Sequence, residues 1–380
     1  MIEMSISKKN SISIMLLVLL SVVLILNWQD GNTTRMLLLS ICVFSSVPFW
    51  KYKSSHFTVL LLFTIFYAFN AFFTGFKSSF VDLLYCSLPG LSLFLMGAYM
   101  GDVLSEDKLE RAILTTLFSY ASVVIFLSFV DIFSTGQIIN YGRAIFVNSD
   151  EEVVLVGDRL ILSVGVIGLP LFFFHKTKYR FLYLIIGALS ILSAIHYIHR
   201  TPLIVCIICF SIAFIFSYKN NKKLLNILFL LICIASVCFL GFFSNDEIVS
   251  AYSERNNVDA STMGDRWPRW IDALGKLFEY PFGWFNDKHT INTYVHNMWL
   301  DVARTVGLLP FILLVAFSIK GFLVSLKGRG LFVLFLLLDV SFLFSCSVEP
   351  VFEAYPTHAW IYMLFLGMKI GYSRQVVHNT

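Results

Sequence analysis

Charged residues are scarce in this chain. Asp, Glu, Lys and Arg make up 14% of its 380 residues, whereas hydrophobic residues make up 58%. A soluble globular domain carries about a quarter charged residues, most of them on its surface. Because this chain lacks the charge to cover a water-facing surface, its composition excludes a soluble protein and predicts an integral membrane protein.

Motifs of nucleotide, metal and hydrolase sites are also missing. The sequence contains no P-loop, dinucleotide fingerprint, zinc site or Ser–His–Asp signature. Its seven cysteines lie in apolar stretches, and Cys206 and Cys209 form a C-x-x-C with no second pair. Such cysteines are typical of small buried residues rather than of disulfides or metal ligands. The sequence therefore predicts no metal, no cofactor and no nucleic-acid partner.

Twelve stretches are apolar and approach the length of about 20 residues that a membrane helix needs. They are Ser11–Trp28, Met36–Trp50, Phe57–Phe73, Phe80–Met100, Ala112–Phe133, Val154–His175, Tyr179–Tyr197, Leu203–Tyr218, Leu224–Phe243, Met298–Ile319, Leu331–Cys346 and Thr357–Ile370. The first follows Lys8 and Lys9 without a small-residue cleavage site, which predicts an uncleaved helix. We therefore expect an all-α integral membrane protein with about 12 transmembrane helices.

The basic residues predict the orientation. One alternate set of connections holds Lys8, Lys9, Lys51, Lys53, Lys108, Arg111, Lys176, Lys178, Arg180, Lys219, Lys222, Lys223, Lys320, Lys327, Arg329, Lys369 and Arg374. The short connections of the other set hold only Arg35, Lys77, Arg143 and Arg200. Since basic connections stay in the cytoplasm, we expect a multi-pass protein of the bacterial inner membrane with both termini cytoplasmic.

One outer connection, Ser244–Val295, is far longer than the others. It divides the chain into a bundle of about nine spans (1–243), a periplasmic loop (244–295) and about three further spans (296–380). Within it, Asp265–Tyr280 has the apolar spacing of a short helix, and Pro281-Phe-Gly283 ends that helix. Tryptophans beside arginines predict that this helix lies near the membrane surface.

Isolated arginines occur on the outer side, where membrane topology disfavours them. They are Arg143, Arg159, Arg200, Arg266 and Arg269. A guanidinium pairs bidentately with phosphate oxygens, so several together would hold a diphosphate without a metal. Each one taken alone is explained equally well by snorkelling to lipid head groups or by capping a helix.

Other candidates lie where the chain re-enters the membrane after the long loop. His296 has the chemistry to accept a proton from a sugar hydroxyl, and Asn297 to contact a glycan or cap the next helix. Glu349 and Glu353 in the last outer loop are glycan-binding candidates or ordinary loop charges. For Asp158 and Asp339 we expect pairing with a nearby Arg or His.

Three ordered segments resemble the O-antigen ligase and polymerase superfamily. They are the turn Arg200-Thr201, the loop segment Ser261-Thr-Met-Gly264-Asp-Arg266-Trp-Pro-Arg-Trp270 with Pro281-Phe-Gly283, and His296-Asn297-x-x-Leu300-x6-Gly307. Their order, spacing and outer-side placement match across residues 190–320. The chain departs from the pattern at His199, where Ser is usual, and at Leu308, where a second Gly often follows.

The resemblance implies a GT-C-like, metal-independent and inverting glycosyltransferase that acts on the periplasmic face. It implies that Arg200 and Arg266 bind the diphosphate of an undecaprenyl-diphosphate-linked oligosaccharide and that His296 deprotonates or orients the acceptor hydroxyl. Arg143, Arg159 and Arg269 are further candidates for phosphate or glycan contact. A polysaccharide chain-length regulator is the partner that the resemblance suggests, besides membrane lipid.

The short stretch from Gly283 to His296 favours a polymerase over a ligase, which often carries a longer insertion there. A polysaccharide flippase or transporter is the alternative from another class, because it explains the span count and the intramembrane charges. It does not explain the long outer loop between the ninth and tenth spans.

Overall fold

Helices form nearly all the regular structure in the described part of this computed structural model. The described residues are 47–76, 80–137, 145–148, 151–154, 158–175, 177–217, 267–285, 295–326, 330–349, 351 and 356–378. A 3-10 helix, Val47–Tyr52, comes first. The α-helices are α1 Ser55–Phe73, α2 Phe80–Val103, α3 Glu106–Thr135, α4 Asp158–Gly165, α5 Gly168–Phe174, α6 Arg180–His196, α7 Arg200–Ser217, α8 at residues 267–279, α9 Met298–Val306, α10 Leu308–Ser325, α11 Phe332–Cys346 and α12 Pro356–His378.

One antiparallel hairpin lies between α3 and α4. Its strands are β1, Ile145–Asn148, and β2, Glu151–Val154. Ile145 pairs with Val154 and Asn148 with Glu151. The hairpin falls within an outer connection of the predicted topology, between the predicted spans Ala112–Phe133 and Val154–His175, and no strand was predicted there.

Three helices, α1, α3 and α10, are long and apolar enough to cross a membrane. Shorter apolar helices accompany them, including α6, α7 and α11. The predicted spans Ser11–Trp28 and Leu224–Phe243, and most of Met36–Trp50, lie outside the described residues. The count of about 12 spans and the GT-C-like fold therefore stay predictions.

Two predicted spans are broken. Val154–His175 divides into the end of β2, then α4, then α5, with Gly165 and Gly168 flanking the break between the two helices. Met298–Ile319 divides at Gly307 into α9 and α10. Both breaks occur at glycines, which lower the cost of leaving the helical conformation.

The end of the bundle at which α1 and α3 begin is rich in basic side chains, and we call it the basic end. Lys320 Nζ donates to Ser55 Oγ over 2.9 Å. Lys178 Nζ donates to Asp107 Oδ2 over 2.8 Å. Arg374 reaches the backbone carbonyl of Tyr52 from α12.

The opposite end, at which α1 and α3 finish, is called the site end. There, Thr74 Oγ1 donates to the carbonyl of Thr305 over 3.0 Å, and His196 Nε2 lies 2.9 Å from Asp131 Oδ2. α3 and α6 both run from the basic end to the site end. Between them, α4 and α5 together return from the site end to the basic end. Which side of a membrane each end faces stays a prediction.

Glycines bring α2 and α12 into direct backbone contact. A Cβ on Gly97 or Gly101 would collide with the backbone near Met368, and one on Gly367 or Gly371 with the backbone near Ala98. Each helix thus presents a Gly-x-x-x-Gly face to the other, the arrangement that permits the closest approach of membrane helices. Because the contacts advance together along both helices, α2 and α12 run parallel.

Asp339 is buried near the basic end, where it pairs with Lys369 and accepts a hydrogen bond from Ser325. The sequence predicted an Arg or His as its partner, and it placed Lys369 at the end of the predicted span Thr357–Ile370, among the basic residues of the cytoplasmic side. Lys369 is fully buried instead, so the carboxylate and the ammonium satisfy each other within the bundle.

Candidate functional site

The turn that presents Arg200 has an unusual backbone. His199 N–H donates to Ala194 O over 2.7 Å, and Ile198 N–H donates to Ile195 O over 3.0 Å. These are the two hydrogen bonds of a Schellman motif, which needs a left-handed residue and usually takes glycine there. Ile198 fills the position with φ of 54°, a strained conformation for a β-branched residue. Arg200 is therefore the first residue of α7 after a strained turn.

A buried Asp–His pair fixes this turn to α4. His199 Nε2 lies 3.0 Å from Asp158 Oδ2, and the two side chains are 0% and 4% exposed. The other carboxylate oxygen of Asp158 accepts the backbone N–H of Arg159 over 2.7 Å. Asp158 thus links the start of α4, which carries Arg159, to the residue that precedes Arg200. The expected pairing of Asp158 with a nearby Arg or His is confirmed.

Arg159 reaches the last outer loop, where its guanidinium lies 3.6 Å from the Glu349 carboxylate. Its side chain is 23% exposed and that of Glu349 10%. The pair joins α4 to the segment that follows α11. An arginine held at the margin of the bundle by one carboxylate keeps further N–H donors that can bind an anion.

A second buried pair was missed by sequence reasoning. His196 Nε2 lies 2.9 Å from Asp131 Oδ2, with side chains 1% and 25% exposed. The signal was available, since His196 and His199 stand three residues apart at the end of an apolar stretch, one on each side of the strained turn. The two imidazoles bind acids from α3 and α4, so the turn is anchored at both ends.

The turn at His296 is also left-handed, with φ of 55°. Asn297 follows it as the N-cap of α9, and its side chain accepts the N–H of Leu300 over 3.2 Å. Asp301 accepts the backbone N–H of Val295 over 2.8 Å and that of Asn297 over 3.0 Å. His296 is therefore held between two backbone groups that bind the same carboxylate, and the capping interpretation of Asn297 is confirmed.

The carboxylate of Asp301 lies in the short helix α9, outside the three long apolar helices. Asp301 is 1% exposed, and two charged residues, Arg304 and Glu349, are close enough to interact with its carboxylate. The turn before α9 and the Arg159–Glu349 pair thus influence each other electrostatically.

A direct contact also joins the His296 turn to the end of α11. Asn297 Nδ2 donates to the carbonyl of Ser347 over 3.2 Å, and Ser347 lies two residues before Glu349. The described part of the chain therefore brings Arg159, Glu349 and the His296-Asn297 turn to one place at the site end.

The helix α8 supports this turn from the side of the long loop. Trp270 Nε1 donates to the carbonyl of Val295 over 3.0 Å, directly before His296. Ala273 and Leu277 pack with residues of α9 in a small apolar cluster. Arg269 therefore lies next to an anchored residue. The predicted helix and its end before Pro281-Phe-Gly283 are confirmed over the residues that the structure describes.

The opposite face of α8 is apolar and exposed. Trp267 is 67% exposed, Ile271 56%, Leu274 50% and Phe278 80%. Helical spacing aligns these residues into one stripe, which agrees with a helix lying at a membrane surface. Their exposure differs from that of Trp270, whose ring faces α9.

The Pro281-Phe-Gly283 motif contacts Gly307, the last residue of the motif that begins at His296. Gly283 and Gly307 have φ of 97° and 91°, and Leu308 N–H donates to Pro281 O over 2.9 Å. A Cβ on Gly283 would lie 2.8 Å from the carbonyl of Arg304, and one on Gly307 would collide with the backbone of Pro281. Pro281-Phe-Gly283 is thereby fixed against the junction of α9 and α10.

The structure thus brings His296 and Asn297 close to the Arg159–Glu349 pair. The Asp158–His199 pair joins the backbone next to Arg200 to that of Arg159. Arg269 lies beside Trp270, which is anchored to Val295. Arg143, Arg266 and Glu353 lie outside the described residues. Models of known protein families and curated proteins give no match to this chain. The functional assignment therefore depends on the residues and their geometry.

Proposed function

We propose that this protein is a periplasmic-face glycosyltransferase that polymerises undecaprenyl-diphosphate-linked repeat units of O-antigen or a related polysaccharide. The proposal includes a GT-C-like bundle of about 12 spans. The observation that carries it is the meeting of the Arg159–Glu349 pair, the Arg200 turn and the His296 turn at one end of the bundle. Ile198 and His296 are the non-glycine residues with positive φ among those described, and such strained residues cluster at functional sites.

The proposed reaction uses cations at the leaving diphosphate, a base at the acceptor hydroxyl and a carboxylate that positions one of the cations. An acceptor hydroxyl attacks the anomeric carbon of the donor sugar, a new C–O bond forms, and the bond to the diphosphate breaks with its electron pair moving to the phosphate oxygen. Arg200, with Arg159 and the predicted contributions of Arg266, Arg269 and Arg143, would stabilise that developing charge. His296 would take the hydroxyl proton or orient the hydroxyl. Glu349 would hold Arg159 in position.

Arginine substitution at the site end tests the proposal. Purified protein reconstituted in sealed vesicles is supplied with lipid-linked repeat units and lipid A core, and the products are separated by length. Arg200→Ala should lower polymer formation by about 10²–10³-fold, as expected for the loss of a transition-state cation. His296→Ala should lower it by about 10²–10⁴-fold.

Lys178→Ala is the control, because Lys178 is a 62% exposed cation at the basic end. It should leave polymer length unchanged. Unchanged polymer in both Arg200→Ala and His296→Ala would reject the site assignment. Transfer to lipid A core with no lengthening of the lipid-linked chain would favour the ligase, and movement of intact repeat units without any new bond would favour the transporter.

A further inference from the structure

An apolar groove runs along the outside of α10. Its lining residues are Trp299, Val315, Ser318, Ile319, Phe322 and Leu343, and its cavity volume is about 260 Å³. This volume is below the range of about 300–1,000 Å³ that is typical of sites for a whole small molecule, and it suits a segment of a longer chain. The groove lies between α10, α11 and the first turn of α9.

The lining presents hydrocarbon to its contents. The hydroxyl of Ser318 donates to the carbonyl of Leu314 over 2.9 Å and accepts the indole N–H of Trp299 over 3.2 Å. The polar atoms of both side chains are therefore occupied within the protein. The ligand that such a lining recognises is a hydrocarbon chain.

The groove begins at the candidate site. Trp299 lies two residues after Asn297, and Leu343 lies one turn before Ser347, the residue that Asn297 contacts. Both walls therefore lead to the point where α9 begins and α11 ends. Ile319, at 56% exposure, opens the groove sideways on a helix that is long and apolar enough to cross a membrane.

The groove runs along α10 from the level of the His296 turn towards the basic end. Trp299 contacts Ser318, which lies about three turns into α10. The helix α9 therefore runs antiparallel to α10, and the His296 turn lies closer to the basic end than the start of α10 does. From Ser318 the lining continues through Phe322 towards the basic end. A lipid whose head group lay at the His296 turn would have its chain directed along this groove.

We infer that the groove binds the polyprenyl chain of the lipid-linked donor, next to the diphosphate. This inference rests on the proposed function for the identity of the head group. The groove orients the donor by its first isoprene units, so the diphosphate enters the site end from the side of the membrane. A phospholipid has no diphosphate for the arginines, which is why we assign the groove to the polyprenyl lipid.

Photolabelling of the full-length protein in phospholipid nanodiscs tests the inference. The probe is a polyprenyl diphosphate without sugar that carries a diazirine near its diphosphate end, and labelled peptides are mapped by mass spectrometry. Label should concentrate on residues 315–322 and near Leu343. Ile319→Trp fills the groove and should reduce this label about tenfold, the loss expected when about two methylene groups can no longer be buried.

Leu323→Trp is the matched control, since Ile319 and Leu323 are both 56% exposed and only Ile319 lines the groove. It should retain the label. Both variants replace exposed residues, and a single peak in size-exclusion chromatography checks their folding. Equal labelling of the groove by a diazirine phospholipid at the same mole fraction, or unchanged label in Ile319→Trp, would overturn the inference.

The probe has no sugar, so its binding does not depend on glycosyl transfer. Selective labelling of the groove without any polymer formation by the protein would reject the proposed function and retain the polyprenyl site. Polymer formation with no selective label in the groove would reject the polyprenyl site and retain the function.

Discussion

At the residue scale, Asp158 connects two arginines of the site end, Arg159 and Arg200. One carboxylate oxygen binds His199, next to Arg200, and the other binds the backbone of Arg159. Both side chains of the Asp158–His199 pair are nearly inaccessible to water. A buried polar group that loses its partner costs far more than an exposed one, because water cannot replace the bond.

Asp158→Ala should therefore lower the free energy of unfolding by about 1–3 kcal/mol. Asp158→Asn, which keeps an oxygen acceptor, should cost less. Thermal unfolding followed by tryptophan fluorescence measures both. Asp107→Ala is the control, because Asp107 forms an exposed pair with Lys178, and such pairs contribute about 0–1 kcal/mol. Equal effects of Asp158→Ala and Asp107→Ala would show that the buried pair does not hold the turn.

Ile198 shows why sequence reasoning found the Arg200 turn but not its geometry. A left-handed β-branched residue costs about 1–2 kcal/mol, and no pattern in the sequence predicts one. Ile198 is 0% exposed, so its side chain is packed within the bundle, and the hydrogen bonds of its turn hold the backbone in this conformation. The charge of Arg200 was visible in the sequence, whereas the Asp131–His196 and Asp158–His199 pairs needed the packing of α3, α4 and α6.

At the element scale, the junction between α9 and α10 depends on glycine. The long apolar run Met298–Ile319 predicted a single span, yet Gly307 ends α9 and Pro310 stands in the first turn of α10. Glycine after one helix and proline early in the next is a recognised boundary signal. The two sides also differ in polarity, because α9 carries Asp301 and Arg304 whereas the first three turns of α10 carry no charged residue.

Gly307→Ala should destabilise the protein, since the added Cβ meets the backbone of Pro281 and φ is 91°. We expect a loss of about 1–3 kcal/mol, together with faster proteolysis between α8 and α9. Gly275→Ala is the matched control in the exposed part of α8, where an added Cβ has no atom within 4 Å. It should be neutral or stabilising by up to about 1 kcal/mol. Similar proteolysis of both variants would contradict the close packing of these segments.

Substitutions of two tryptophans in α8 distinguish two roles of this helix: support of the His296 turn and contact with the membrane. Trp270→Phe keeps a ring but loses the N–H donor to Val295 O, which should lower polymerisation turnover about fivefold to tenfold, equivalent to the loss of one hydrogen bond. Trp267→Phe should leave the turnover of protein in nanodiscs unchanged, because Trp267 is 67% exposed. The assay is polymer formed per unit time at saturating donor. A larger loss of turnover in Trp267→Phe than in Trp270→Phe would show that α8 does not support the His296 turn through Trp270.

At the scale of the whole molecule, the distribution of basic residues predicts the orientation. Cysteine labelling tests it in a background without the seven native cysteines. Gly275→Cys in α8 should react with an impermeant maleimide in intact spheroplasts. Lys178→Cys, at a 62% exposed position of the basic end, should react only after the membrane is opened. Labelling of both in intact spheroplasts, or the reverse pattern, would contradict the predicted topology.

Much of the helical layout was predictable, because long apolar runs have few alternatives to helices in a membrane. The predicted spans Phe57–Phe73, Tyr179–Tyr197 and Leu331–Cys346 correspond to α1, α6 and α11 within a few residues. The hairpin of β1 and β2, the breaks at glycines and the Lys369–Asp339 pair were not predicted. The Lys369–Asp339 pair depends on packing between two helices, which a pattern of hydropathy does not encode. The hairpin and the breaks are local features that an average of hydropathy over a long window does not detect.

The parallel seam between α2 and α12 has a consequence for how the molecule can work. It joins a helix from the first third of the chain to its last described helix, backbone against backbone, through Gly97, Gly101, Gly367 and Gly371. A carrier that rocks one half against the other would have to slide such a seam open in every cycle. A fixed frame has no such need: under the proposed function, the growing polymer would move past a stationary bundle.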